Sequence, residues 1–194
     1  MLTLWDLIEP QPAQAPSKAT PKPLCPAKTS RARPPGPAPL HTFPKPGPYD
    51  AIVNVMLARY GVEVRKWRRS SSGLASLVQR RDGRIERWLE SPRPVTPLSL
   101  SIFLHEIGHH ALGIGAIKPR CLEEYHAWQF AFAAMREFSV PISETVLSRY
   151  RRAMQYAVGK AARRNIRTLP SELLDFAREA SVTVNPPGHP RERL

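Results

Sequence analysis

In the stretch SIFLHEIGHHALGIG, residues 101–115, three histidines and a glutamate interrupt an otherwise apolar run. His105 and His109 stand four residues apart. On a helix that spacing gives a rise of about 6 Å with little rotation, so both imidazoles face one point, where a single metal ion fits. Glu106 projects beside the pair, placed to accept a proton without being a ligand itself. The chemistry this pattern suggests is hydrolytic. Zinc lowers the pKa of a bound water from about 15.7 toward 7, and an adjacent carboxylate serves as general base.

The surrounding residues make a bystander role costly. Ile102, Phe103, Leu104, Ile107, Ala111 and Leu112 mark a buried helix, where an unpaired carboxylate is strongly unfavourable and a cation offsets the cost. His110 faces another side of the helix and reads as a supporting or surface histidine rather than a ligand. A catalytic zinc needs a third protein ligand and one open position. The candidates downstream are Glu123, Glu124 and His126, all in CLEEYHAWQFAFAAM. Steps of three and four from Glu124 meet Ala127, Trp128, Ala131, Met135 and Phe138, a core-facing stripe. The same walk from His126 meets Gln129, Phe130, Ala133 and Glu137, a wetter face. Glu124 is therefore the first choice, with Glu123 and His126 as alternatives.

These residues need a scaffold, and the punctuation of the chain outlines one. YDAIVNVMLARYG predicts a helix capped by Asp50, with Ile52, Val53, Met56 and Leu57 on one side and Gly61 as its left-handed stop. VEVRKW alternates at period two, and LASLVQRRDGRIERWLE gives two strands around the hairpin dipeptide Asp82-Gly83. The helix of the histidines is expected to start at Thr96, with Pro97 in its first turn, and to stop at Gly113. A second helix begins near Pro119. A third follows Pro141, with Val146, Leu147, Tyr150, Met154, Val158 and Ala161 on its apolar side, and PSELLDFAREA makes a short last one. The expected class is α+β, with helices packed on a small antiparallel sheet.

At the metal motif the sequence resembles the ImmA/IrrE family of gluzincin metallopeptidases, whose pattern is His-Glu-Leu-Gly-His followed by Glu-x-x-Ala-x-x-Phe-Ala. Here the counterparts are HEIGH at 105–109 and EYHAWQFA at 124–131. The likeness covers about residues 49–141. It implies a minimal gluzincin-like domain with His105, His109 and Glu124 as zinc ligands and Glu106 as general base. It also implies cleavage of peptide bonds in a cytosolic protein, often a repressor or regulator. The spacer HALGIGAIKPRCLE is shorter than the family's, and FAAMREFSVP replaces its usual ending. Aligning on Phe132-Ala133 instead would place His126 at the third ligand position. SprT-like proteases share the helix motif, but their accompanying glycine and Cys pairs are missing here. In gluzincins the substrate pairs with an exposed strand edge, and GRIERWLES, residues 83–91, is the expected edge.

Outside this region the chain is less structured in character. Of its 194 residues 22 are proline, and those in 10–48 make that segment a disordered linker stiffened toward polyproline II. Ahead of it LTLWDLI, within residues 1–9, has the look of a docking peptide for a partner. Residues 142–181 are expected to pack basic helices on the 49–141 catalytic domain, leaving 182–194 as a flexible tail. The opening segment has neither the basic start nor the apolar length of a secretion signal or membrane span, so a cytoplasmic location and no membrane partner are expected. The two cysteines, Cys25 and Cys121, exclude a disulfide framework. Cys25 is a remote candidate for an inhibitory thiolate at the zinc.

The net charge of +13 is spread as +4, +4 and +5 over residues 1–48, 49–142 and 143–194. Arg149, Arg152, Lys160, Arg163 and Arg167, with Tyr156 among them, follow near-helical spacing opposite the apolar side of their helix, and KWRR at 66–69 extends the charge. This stripe is the basis of an alternative reading, a nucleic-acid-associated binding protein whose metal site is structural or idle. A zinc amidase acting on a small molecule is a third.

Overall fold

The computed structural model describes residues 45–166 and 168–181. The LTLWDLI segment, Cys25, the linker as far as residue 44, Arg167 and the tail from 182 onward lie outside the described residues. Helix α1 spans Asp50–Tyr60, and strands β1, β2 and β3 span Val62–Arg68, Leu74–Gln79 and Ile85–Pro92. Helices α2, α3 and α4 follow at Pro97–Leu112, Arg120–Glu137 and Glu144–Arg163. A 3-10 turn at Ser171–Leu173 leads into the short α5, Leu174–Glu179. The α+β class expected from the sequence is the one observed, and no helix among the described residues is long and apolar enough to cross a membrane.

Local chemistry sets the boundaries. Thr96 caps α2 in a reciprocal box with Ser99, whose backbone N–H donates to the Thr96 hydroxyl at 3.1 Å, and Pro97 occupies the first turn. Gly61 ends α1 at φ 59°. Asp50 differs from expectation. It is the first helical residue rather than the cap, and its carboxylate instead accepts from the Gly47 N–H at 2.7 Å and pairs with Arg93 at 3.2 Å. The Asp82-Gly83 hairpin forms as a three-residue loop closed by Arg80 N–H to Arg84 C=O at 2.8 Å, with Gly83 at φ 84°.

The sheet corrects two expectations. Its order is β1-β3-β2, with β2 antiparallel to β3 but β1 parallel to it, so it is mixed and not wholly antiparallel. Strand β3, which holds most of GRIERWLES, is therefore central, hydrogen-bonded on both sides, and cannot serve as a free edge. Among the described residues the edges are β1 and β2. The edge expectation rests on the family resemblance, and the burial of β3 shows its central place. Ile85 and Arg87 are exposed at one end of the strand while Leu89 and Ser91 enter the core at the other.

Helix α2 is the centre of the fold. It packs on β2 and β3 on one side and on α3 on the other, with α1 and α4 also against it. All residues from Leu100 to His110 are buried. Its approach to α3 is close because of Gly108, where a Cβ would lie 2.9 Å from the Ala127 carbonyl oxygen and 3.1 Å from the Ala127 Cα. The glycine inside HEIGH thus sets how near the next helix can come. We expect Gly108→Ala to force α2 and α3 apart, lowering stability by about 1–3 kcal/mol as overpacked cores do. Chemical denaturation of the variant beside the wild type checks this.

Candidate metal centre

Two turns of α2 and the first turns of α3 build the site. The His105 and His109 rings lie with centroids 4.7 Å apart and planes at 79°. Opposite them, Glu124 Oε2 is 3.3 Å from His105 Nε2 and 3.5 Å from His109 Nε2. Ligand atoms from the three residues all fall within 4.8 Å of one another. Zinc bonds of about 2.0–2.2 Å in a tetrahedral site hold donor atoms roughly 3.4 Å apart, and the two imidazole–carboxylate distances match that spacing. A donor set of two imidazoles and one carboxylate also leaves a fourth position open.

Each donor is held in place by a different device. His109 Nδ1 is 2.9 Å from Glu123 Oε1, which fixes its ring and leaves Nε2 for a metal. Glu123 itself is fully buried, and its second oxygen accepts from the Gly115 N–H at 2.9 Å. His105 has no such carboxylate. Its Nδ1 is buried without a hydrogen-bond partner, and its ring instead packs on Trp128 at 4.7 Å between centroids. Glu124 Oε1 accepts from Arg120 Nε at 3.1 Å, so only Oε2 faces the imidazoles.

The electrostatics follow from burial and proximity. Burial disfavours the Glu124 carboxylate, but hydrogen bonds from His105 and His109 outweigh it and hold the carboxyl well below its usual range. Burial pushes the Glu106 carboxyl up to about 7, against the His109 charge, which pulls it down. The Ala75 backbone amide on β2 also favours the ionised form of Glu106. Burial lowers His105 as well.

The structure places the predicted residues as follows. His105, His109 and Glu124 form the cluster, and Glu106 lines the same cleft without joining it. Glu123 lies outside the cluster, behind His109, although an i,i+1 acidic pair at a helix start was visible in the sequence. His126 is half-buried beside Tyr125 and outside the cluster. His110 is neither ligand nor surface residue, for it is buried, with Nε2–H donating to the Trp88 carbonyl of β3 at 3.0 Å. Burial lowers its pKa to about 4, leaving it neutral. Cys121 is buried and carries a free thiol.

A cleft of about 660 Å³ opens onto the cluster. Ser72 and Gly73, just before β2, form one wall, and α4 forms another. A Cβ at Gly73 would overlap the Glu106 side chain, so the β1–β2 connection lies directly against the carboxylate. Of the basic stripe, Arg149, Arg152 and Lys160 line this cleft, whereas Arg163 is exposed elsewhere. Arg149 reaches across to donate to the Ser71 carbonyl at 3.1 Å. In KWRR, Arg68 pairs with Glu90 at 2.9 Å and Trp67 packs on Phe103. Lys118, Arg120 and Arg164, which the sequence reading did not single out, also line the cleft.

No protein-family model matches the chain, and no curated protein or solved structure matches it either. The geometry of the cluster therefore carries the functional argument.

If the cluster holds a metal ion, substituting Glu123 by Gln should leave the fold intact and weaken metal binding by about 10–100-fold, because the His109 ring loses its charged partner. His126→Ala should leave metal affinity unchanged. Competition with a chromophoric chelator measures both.

Proposed function

We propose that the chain is a zinc-dependent metallopeptidase that hydrolyses peptide bonds in a cytosolic protein, a class that includes the repressors and regulators cleaved by the ImmA/IrrE proteins its motif resembles. The observation that carries this reading is the convergence of His105, His109 and Glu124 on one point of a cleft that Glu106 also lines. Zinc held there supplies Lewis acidity, which acidifies water toward neutral pH and polarises a carbonyl.

The remaining roles belong to the chain's own side chains. Glu106 is held apart from the ligands, in a buried position that makes its carboxylate a stronger base than one in water, and it accepts the proton of the attacking water and passes it to the leaving amine. Glu123 keeps the His109 ring turned so that Nε2 faces the cleft. Trp128 does the same for His105 by ring packing. Arg149 brings positive charge to this end of the cleft, felt at His105, where it favours a developing negative oxygen.

A peptide must also be held extended. With β3 central, the strand suited to this is β2, which among the described residues pairs with β3 alone and begins beside the cleft residues Ser72 and Gly73. Beyond Ala75, whose amide faces Glu106, its outer edge can offer backbone groups to a substrate strand. A strand edge beside the site favours a polypeptide over a small amide, which has no use for one.

The test is to incubate the zinc-loaded chain with a proteome-derived peptide library and read new termini by mass spectrometry. New termini should form with the wild type and vanish on chelation. They should fall by about 10²–10⁴ in rate with Glu106→Gln, which keeps its zinc. Gly73→Ala, which crowds Glu106, should also bind zinc normally and cleave more slowly. Wild-type protein that yields no new termini overturns the peptidase reading.

A further inference from the structure

The charges of the cleft exceed what the chemistry of the metal centre uses. Lys118, Arg120, Arg149, Arg152, Lys160 and Arg164 line it, and the carboxylates there are Glu106 and Glu124. Arg120 is engaged by Glu123 and Glu124, and Arg149 by the Ser71 carbonyl. Lys118, Arg152, Lys160 and Arg164 form no ion pair or side-chain hydrogen bond among the described residues. Along α4 and its C-cap, Arg152, Lys160 and Arg164 are three such cations, with Lys118 facing the same cleft from just before α3, and a cleft so lined focuses positive potential on whatever enters it. Tyr156, at 64 % exposure, stands between Arg152 and Lys160 one turn from each.

We propose that the cleft selects an acidic peptide: an extended segment bearing Asp or Glu side chains, its backbone along β2 and its carboxylates against α4. This deepens the peptidase reading and rests on it. The dimensions agree. From Arg149 to Lys160 the helix rises about 16 Å, the length of roughly five residues of extended chain. The acidic residues would thus lie within a few positions of the scissile bond, on the side facing α4, with the Tyr156 ring covering their apolar stems. A nucleic acid fits these observations less well. It would use the cations and Tyr156 but leave the strand edge idle.

The test measures binding with the full-length, zinc-loaded Glu106→Gln chain, so that nothing is turned over. The probes are a labelled decapeptide rich in Asp and Glu, its Asn and Gln counterpart, and a single-stranded oligodeoxynucleotide. The acidic peptide should bind on the order of tenfold tighter than the neutral one. That preference should disappear when Arg152→Glu and Lys160→Glu are added. It should persist when Arg81→Glu and Arg136→Glu, an equal charge change at exposed positions outside the cleft, are added instead. Equal binding of the two peptides overturns the proposal. So does equal loss in both double variants, which would mean attraction by net charge alone. An oligonucleotide that outcompetes the acidic peptide and is lost with Arg152 and Lys160 assigns the wall to nucleic acid and overturns it too. Cleavage separates the two readings. If wild-type protein cuts neutral peptides as fast as acidic ones, the acidic preference fails and the peptidase stands. If it binds acidic peptides through this wall and never cuts, the peptidase fails and the preference stands.

Discussion

Helix α2 carries four ionisable side chains, His105, Glu106, His109 and His110, within a segment that is buried from residue 100 to residue 110. No interior tolerates that without partners, because each group left unpaired costs free energy on the scale of a whole protein's stability. The partners come from three of the elements packed around the helix. Glu124 and Glu123 arrive from α3, the Trp88 carbonyl from β3, and the Ala75 amide from β2. The needs of four side chains thereby dictate which neighbours the central helix must have. Site and core are one structure here, and the polar groups that could react also specify how the layers dock.

Two of these partnerships are steric as much as polar. Gly108 lets α3 come close enough for Glu124 to reach both imidazoles, and Gly73 lets the β1–β2 connection lie flat on Glu106. Neither glycine is needed for an unusual backbone angle. Each marks a place where a side chain has been omitted so that another element can touch the site.

Much of this was readable from residue types. The four-residue histidine spacing, the Thr96 and Pro97 start, the Gly61 stop and the Asp82-Gly83 turn are local signals, and local rules placed them well. Glu124 was found because its helical stripe is apolar. What escaped was non-local. Nothing in VEVRKW says that it will run parallel to β3, and so nothing showed that β3 would be sandwiched and lose its edge. The Asp50 carboxylate looked like a cap but went to Gly47 and Arg93, partners that the sequence does not bring together. His110 looked peripheral because its acceptor is a backbone carbonyl, which has no signature in the sequence. The basic residues of α4 were visible as a stripe, but their place in the wall of the metal cleft follows only from the packing of α4 beside α2.

Glu123 divides one carboxylate between the His109 ring and the backbone of Gly115, a residue in the short connection from α2 to α3. That connector lies at the surface of the helical layer, where length normally drifts freely. Here an insertion or deletion between residues 113 and 119 would displace the 115 amide and turn the imidazole with it. This loop is therefore the stretch in which indels should be scarcest across any set of descendants of this chain.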